Sequence, residues 1–278
     1  MKKIVVPCDF SETSLQAFQF AVEITRKSGG KIMLLHIVEL PVLHDSMLMP
    51  TLYFEAGYLK DMEANAEKKF TKMKSKYLKE KIKVTSFVKL GPILGTINEF
   101  AEEHKADLIV MGTQGATGLK DFFIGSNTEK IVRLSSIPVL AIRKSFKLNK
   151  IKNILFSTTL LPEENHLVKH AKKLQDFFSA TLHLLLVNTP HNLNRTSDER
   201  AVMEKFAQHH KLKNYTVNTR DNFYIENAII DFVHEIKADM IVMGTHGRKG
   251  LSHLFMGSVA EDIVNHLDCA IWTYPIKK

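Results

Sequence analysis

The sequence predicts an α/β protein built from two tandem doubly wound domains, each with a five-stranded parallel sheet and helices on both faces. Three observations support this fold class. The chain has 278 residues, enough for two hydrophobic cores. The segment "ADLIVMGT" (106–113) returns as "ADMIVMGT" (238–245), identical at seven of eight positions. Short, nearly all-apolar runs alternate with helical patterns, which is typical of parallel strands covered on both faces.

The repeat divides the chain into domains at 1–146 and 150–278. "KKIVVPCDFS" (2–11) corresponds to "IKNILFSTTL" (151–160), near the start of each half. Between the halves, the Lys/Asn-rich stretch 143–153 has the composition of a linker.

The first half contains five apolar runs that we predict to be strands. They are residues 3–7, 32–38, 83–89, 107–111 and 138–142. After the first run, "SETSLQAFQFAVEITRKSG" opens with a Ser/Thr capping signal, and "SGGK" (28–31) is a helix C-cap signal. Right-handed crossovers between such strands produce a compact doubly wound sheet.

Composition excludes several classes of protein. The formal net charge of +8 is spread over both halves, apart from eight lysines in 68–83. That run has helical apolar spacing at Phe70, Met73, Tyr77 and Leu78, so its lysines are expected on a solvated helix face, and nucleic acid is not an expected partner. No apolar stretch reaches the roughly 20 residues that span a bilayer. The distant cysteines, Cys8 and Cys269, favour a reducing cytoplasm.

The candidate site lies where two predicted strands end. In doubly wound sheets, ligands bind beyond the carboxyl ends of strands where the winding reverses. "PCDFS" follows the first strand, and "GTQGATGLKDFFIGS" (112–126) follows the fourth. Glycines allow close approach of an anion to backbone N–H groups. "SNTE" (126–129) and "SVAE" (258–261) are capping-box patterns, which predict Ser126 and Ser258 as N-caps of helices suited to phosphate.

These motifs together resemble the universal stress proteins, in particular their ATP-binding branch with the pattern G-x2-G-x9-G-[ST]. The resemblance rests on "VVPCDFS", "LLHIV", "ADLIVMGTQG" and the later "GS", and it covers nearly the whole chain. It implies ATP, or another adenine nucleotide, with Mg²⁺ or Mn²⁺, between the first and fourth strands.

The resemblance also implies roles for individual residues. Asp9 would contact the adenosine, Pro7 would line the base pocket and the Ile37 backbone would bond adenine. The ribose would border Met111 and Gly112. The phosphates would be held by Gly115, Gly125, Ser126 and Asn127. The corresponding second-half residues are Val187, Gly244, Gly247, Arg248, Gly257, Ser258 and Val259.

The second half departs from this pattern at the base end. Asp9 aligns with Thr158 or a neighbour, and no carboxylate follows that strand before Glu163. "LGPILG" (90–95) becomes "DNFYIE" (221–226). Its phosphate loop nevertheless gains cations at Arg248 and Lys249. We therefore expect nucleotide in the first half and weaker or conditional occupancy in the second.

Other candidate residues have simpler interpretations. His166 and His170 are spaced for a metal clip, but without a third ligand they are expected to be surface histidines. Cys8 is expected to be a small core residue. His246 lies in the second loop, close to the expected phosphates. Segment 41–58 is either a cover for its own core or a lid or partner-docking element.

The leading hypothesis is a cytoplasmic, tandem ATP-binding stress-response sensor or regulator, whose last strands pair the halves as an internal pseudo-dimer. A further homodimer is left open. The rivals are a slow ATPase or nucleotidyl-transfer enzyme, and a scaffold that binds no nucleotide. The loop lacks an obvious general base beside it, which favours the sensor over an enzyme.

Overall fold

A computed structural model describes residues 1–39, 56–78, 82–113, 126–143, 148–190, 198–245, 263 and 267–276. The predicted lid or docking segment 41–58 lies almost entirely outside these residues. So do residues 114–125 of the first glycine loop and 246–258 of the second.

The first half alternates strands and helices in the expected order. Its elements are β1 (Lys3–Pro7), α1 (Glu12–Ser28), β2 (Lys31–Val38), α2 (Ala56–Tyr77), β3 (Lys83–Leu90), α3 (Ile93–Glu103), β4 (Leu108–Gly112), α4 (Ser126–Leu134) and β5 (Val139–Ile142). All five predicted strands are confirmed to within one residue at each end.

The second half repeats this plan. Its described elements are β6 (Asn153–Ser157), α5 (Asn165–Phe178), β7 (Thr181–Asn188), α6 (Glu199–His209), β8 (Tyr215–Asp221), α7 (Ile225–Glu235), β9 (Met240–Thr245) and β10 (Ala270–Pro275). Short 3-10 turns at Leu148–Lys150 and Pro162–Glu164 precede β6 and α5.

The two five-stranded parallel sheets join into one sheet of ten strands, in the order β3-β2-β1-β4-β5-β10-β9-β6-β7-β8. β5 and β10 pair antiparallel, with Trp272 opposite Leu140. This confirms the expected pairing of the halves through their last strands. The α/β class and the helices on both faces are confirmed as well.

Each face of the sheet carries its own core. On one face, Phe18 of α1 and Phe70 of α2 pack in the same cluster as Leu167 of α5. On the other, Phe100 of α3 and Ile131 of α4 share a cluster with Phe232 of α7. Alternate residues of each strand reach opposite faces, which explains why the strands are apolar throughout.

The local signals read from the sequence determine the ends of α1. Ser11 is its N-cap, and the Ser11 hydroxyl accepts a hydrogen bond from the Ser14 amide. Gly29 closes the helix at φ 64°, in the left-handed region. The lysine-rich helix α2 also follows the prediction, because Phe70 and Met73 are buried while Lys68, Lys69 and Lys72 are exposed.

The predicted linker is shorter than expected at its far end. Ile151 is fully buried and belongs to the core cluster that both halves share. The Lys/Asn-rich composition concealed this residue because its neighbours Lys150 and Lys152 are exposed.

We expect Trp272→Ala to lower the free energy of unfolding by about 3–5 kcal/mol, as for other buried aromatic truncations. Trp272 is 2% exposed at the junction of the halves. Urea unfolding followed by far-ultraviolet circular dichroism measures the change. Phe223→Ala is the control, because Phe223 is 76% exposed; a loss of equal size in both variants would contradict the assignment.

Candidate functional site

The first-half site begins at the pairing of β1 with β4. Ile4 lies opposite Leu108 and Val5 opposite Ile109 in a parallel ladder. The segments after both strands therefore leave the same edge of the sheet, as expected at a point where the winding reverses. Asp9 follows β1 at this edge, and Gly112 ends β4.

Gly112 is the point where two helices meet the end of β4. A Cβ atom at this position would lie 2.6 Å from the carbonyl oxygen of Thr13, in the first turn of α1. On the other side, the Thr128 hydroxyl donates a 2.8 Å hydrogen bond to the carbonyl oxygen of Gly112. Thr128 lies in the first turn of α4. Both helix N-termini therefore converge on this glycine.

This convergence makes the crevice suitable for an anion. A helix N-terminus carries N–H groups without intrahelical partners and a partial positive charge. α1 has 17 residues and α4 has nine. Ser126 and Asn127 are exposed at the start of α4. Ser126, the predicted N-cap, is the first residue of α4.

Asp9 lies beside the N-terminus of α1 and fixes its start. Its Oδ1 accepts hydrogen bonds from the Ser11 amide, at 2.9 Å, and the Ser11 hydroxyl, at 2.5 Å. The Asp9 side chain is exposed. Phe10, between them, has φ 64° and turns its ring inward onto Phe70, with ring centroids 5.0 Å apart. The turn therefore packs Phe10 against the core and leaves Asp9 at the surface of the crevice.

The residues expected near a base lie on β1, β2 and β4. Pro7 ends β1 opposite Leu35 of β2, and Ile37 follows two residues later on β2. Both Pro7 and Ile37 are partly exposed, whereas Met111 is 7% exposed. The adjacent strands bring these three residues to the edge that holds Asp9 and Gly112. Gly115 and Gly125 lie outside the described residues.

Cys8 faces the core rather than the crevice. Its thiol is 4% exposed and lies 3.6 Å from the Ser14 hydroxyl. Burial raises the pKa of the Cys8 thiol, so it remains protonated and poorly nucleophilic near neutral pH. The prediction of a core residue is confirmed. Burial likewise raises the pKa of Cys269 to about 12.

The second half has the same backbone turn with different side chains. Leu160 has φ 61°, as Phe10 has φ 64°, and the amides of Thr158 and Cys8 make equivalent bonds to Leu185 and Leu35. Thr159 therefore occupies the position of Asp9, which decides between the neighbours left open by the sequence. Leu161 replaces the N-cap Ser11, and the first turn of this helix is a 3-10 turn with Pro162 at its start.

Glu164 is a site residue that sequence reasoning missed. It lies 150 residues after Ser14 and is 3% exposed. Its Oε2 accepts from the Thr158 hydroxyl at 2.6 Å, and its Oε1 accepts from the Thr159 hydroxyl at 2.8 Å. The Thr159 amide donates to the same carboxylate at 3.1 Å. The sequence offered one signal: Glu164 aligns with Ser14, which is a buried helix position in the first half.

Other second-half positions also differ from the first half. A Cβ atom at Gly244 would collide with the side chain of Ile276 and approach that of Leu167 to 3.4 Å, instead of meeting a helix backbone. Val187 lies on β7 opposite Arg220 and is 8% exposed. The remaining predicted residues, His246, Gly247, Arg248, Lys249, Gly257, Ser258 and Val259, lie outside the described residues.

The turn before α7 carries one more residue than the turn before α3. In the first half Gly91, at φ 136°, and Pro92 connect β3 to α3. In the second half Asn222, Phe223 and Tyr224 make this connection, and both aromatic side chains are exposed. The substitution removes the glycine and places aromatic surface at the carboxyl edge of the second half.

The two spaced histidines of α5 have separate environments. His166 is exposed, whereas the His170 ring packs on Tyr274 with centroids 4.3 Å apart. Over the described ranges, no three His, Cys, Asp or Glu side chains are grouped as a metal site. Within the same ranges no helix is both long enough and apolar enough to cross a membrane.

Comparisons with known proteins agree in both sequence and fold. The model of the "Universal stress protein family" matches residues 1–143 and 150–275. A universal stress protein of Methanocaldococcus jannaschii is 33% identical over 146 residues, which cover 52% of this chain and 84% of that protein. One from Synechocystis is 22% identical over 295 residues and covers 99% of this chain and 100% of its own length.

One solved structure aligns with both halves of the chain. The crystal structure of a universal stress protein from Archaeoglobus fulgidus aligns with a TM-score of 0.78 at 22% identity, covering 99% of this chain and 98% of that chain. A universal stress protein solved in complex with cAMP covers 46% of this chain at 15% identity, with a TM-score of 0.39.

We expect Gly112→Ala to destabilise the fold by about 1–3 kcal/mol, because the new methyl group collides with backbone that must move. Gly95→Ala is the matched control. Its Cβ would meet only Pro92 Cγ at 3.6 Å, and it lies within α3. Gly95→Ala should stabilise by about 0.5–1 kcal/mol. Urea unfolding distinguishes the two, and effects of the same sign would contradict the close approach at Gly112.

We expect His170 to make the fold less stable in acid. Burial, and then the charge of Lys173, lower the pKa of His170 from its ordinary value of 6.5. The unfolded chain therefore takes up a proton that the native state resists, so the contribution of His170 is lost as the pH falls through 6.5. His170→Gln should reduce the loss of unfolding free energy between pH 7.5 and 5. An unchanged loss in urea unfolding at the two pH values would contradict this account.

Proposed function

This chain belongs to the universal stress protein family, and we propose that it is a stress-response sensor or regulator that binds ATP, or another adenine nucleotide, in its first half. The observation that carries the proposal is the convergence of the N-termini of α1 and α4 on Gly112, with the exposed carboxylate of Asp9 beside them. Two helix N-termini favour a polyphosphate, and a neighbouring carboxylate suits the hydroxyl groups of a ribose.

The proposal divides the crevice into a phosphate end and a base end. Ser126 and Asn127, at the start of α4, would hold phosphate together with Gly115 and Gly125 of the loop. Pro7, Ile37 and Met111 would surround the adenine and ribose, because they form the partly apolar edge of β1, β2 and β4. Asp9 would lie between the two ends. Its carboxylate accepts a hydrogen bond from the Ser11 amide and would also contact the adenosine.

A divalent cation fits this site as a companion of the phosphates. Mg²⁺ prefers oxygen ligands and keeps several waters, so one or two protein oxygens suffice. Asp9, Ser126 and Asn127 bear side-chain oxygens at the described crevice, and no three metal-binding side chains are grouped in the described ranges. The ion would neutralise phosphate charge when bound, and these residues would orient it.

A sensor accounts for the described crevice better than an enzyme does. Hydrolysis requires a base within hydrogen-bond reach of an attacking water. Asp9 is a carboxylate at the described crevice, and its Oδ1 is already engaged by two donors from Ser11. We therefore expect bound ATP to persist. A reducing cytoplasm is the proposed location, because both cysteines are free and buried.

The first half is the proposed principal site, and the second half binds more weakly or only under some conditions. Thr159 replaces Asp9, while the second phosphate loop keeps its glycine spacing and adds Arg248 and Lys249. Isothermal titration of Asp9→Ala and Gly257→Trp compares the halves directly. Undiminished ATP binding in Asp9→Ala together with loss in Gly257→Trp would reverse this ranking.

We expect Asp9→Ala to weaken ATP binding about tenfold to a hundredfold, the effect of losing one hydrogen-bonded carboxylate worth about 1.5–3 kcal/mol. Isothermal titration with Mg-ATP measures it. Asp231→Ala, an exposed aspartate on α7, is the matched control and should bind like wild type. The same titration with Mg-GTP in place of Mg-ATP tests the preference for adenine.

Wild-type protein incubated with Mg-ATP for hours should release no ADP. Steady turnover would favour the ATPase, and transfer of the nucleotidyl group to an acceptor would favour the transferase. Absence of nucleotide both after purification and in titration would favour a scaffold.

A further inference from the structure

We propose that Glu164 weakens nucleotide binding in the second half: its buried carboxylate engages the amide and hydroxyl of Thr159, the counterpart of Asp9. The proposal deepens, and rests on, the assignment of nucleotide binding to the first half. It starts from the exact correspondence of the two junctions. Residues 8, 9, 10, 11 and 14 match 158, 159, 160, 161 and 164 on a turn with the same left-handed residue.

Each half has a carboxylate at this junction, but at a different chain position and with hydrogen bonds that run in the opposite direction along the chain. In the first half it belongs to Asp9, on the turn itself, and its side chain is exposed. In the second half it belongs to Glu164, just before α5, and is 3% exposed. Asp9 bonds forward to the capping residue, whereas Glu164 bonds back to Thr158 and Thr159 at the end of β6.

The hydrogen-bond donors of the second junction are directed inward. The Thr159 amide donates to Glu164, the Leu160 amide to the Thr158 hydroxyl at 3.0 Å, and the Glu164 amide to the carbonyl of Leu161 at 3.0 Å. Pro162 has no amide hydrogen to offer. A buried carboxylate held by three donors is difficult to displace, because it would be left without partners in a medium of low polarity.

One pair of residues accounts for this difference between the two junctions. Cys8 and Ser14 lie 3.6 Å apart in the first half, as a weak thiol–hydroxyl contact. Their counterparts Thr158 and Glu164 form a 2.6 Å charge-assisted bond. Exchange of these residues between the halves should therefore exchange the ability to bind nucleotide.

The test adds the first-half residues to the second half in a background where the first site is weakened. Isothermal titration with Mg-ATP compares Asp9→Ala with the triple variant Asp9→Ala/Thr159→Asp/Glu164→Ser. We expect the triple variant to recover an affinity within threefold of wild type, at one site per chain. A folded triple variant that binds no better than Asp9→Ala would overturn the proposal.

The reverse exchange gives an independent measurement. Cys8→Thr/Ser14→Glu, which rebuilds the Thr158–Glu164 pair in the first half, should weaken ATP binding at least tenfold, while Cys8→Thr alone stays within threefold. Unchanged binding in the folded double variant would contradict the proposal. Circular dichroism shows whether each variant folds. If one exchange prevents folding, the other exchange tests the proposal.

Titration of wild type and of Thr159→Asp/Glu164→Ser separates this proposal from the preceding one. Wild type should bind one ATP per chain with high affinity, and the variant should bind two. If wild type binds none and the variant binds one, nucleotide binding in the first half is wrong and the role of Glu164 stands. If wild type binds two, with one site surviving Asp9→Ala, the role of Glu164 is wrong and nucleotide binding stands. If neither protein binds, both proposals fail.

Discussion

The pairing of β1 with β4 is the constraint from which the rest of the first-half site follows. Consecutive crossovers build the sheet outward from β1 in one direction through β2 and β3, and then in the other through β4 and β5. Since β1 and β4 are neighbours, the connections that leave them must separate to opposite faces. The gap between those connections is the crevice, and at Gly112 the backbone of β4 lies close to that of α1.

A second constraint acts at the other end of each sheet. All four residues of β5 are at most 1% exposed, so its edge cannot be left open to water without exposing apolar surface and unpaired backbone groups. In this chain β10 covers that edge with an antiparallel ladder. Phe18 and Leu167, from different halves, then share one core cluster. The halves are thus two copies of one plan that depend on each other for burial.

Much of this architecture could be predicted from the sequence because its signals are local. Five apolar runs indicated the strands, while Ser11 and Gly29 indicated the ends of α1. The crevice was predictable too, since the glycine spacing and "PCDFS" each follow a strand. The role of Glu164 could not be predicted, because its partners depend on the exact turn through Leu160 and on a buried helix face. The outward aromatics at Phe223 and Tyr224 likewise depend on one inserted residue.

The halves diverge at residues that sheet pairing and core burial do not constrain. Sheet pairing and core burial fix the backbone of the strand-to-helix turn, so Phe10 and Leu160 keep the same left-handed conformation. They do not fix the polar side chains on that turn, and there a carboxylate could move from position 9 to the counterpart of position 14. The second half must persist even without a ligand, because β10 covers β5. A duplicated domain held by its sheet edge can therefore change its ligand site without losing its fold, and in this chain the buried carboxylate of Glu164 lies just before α5.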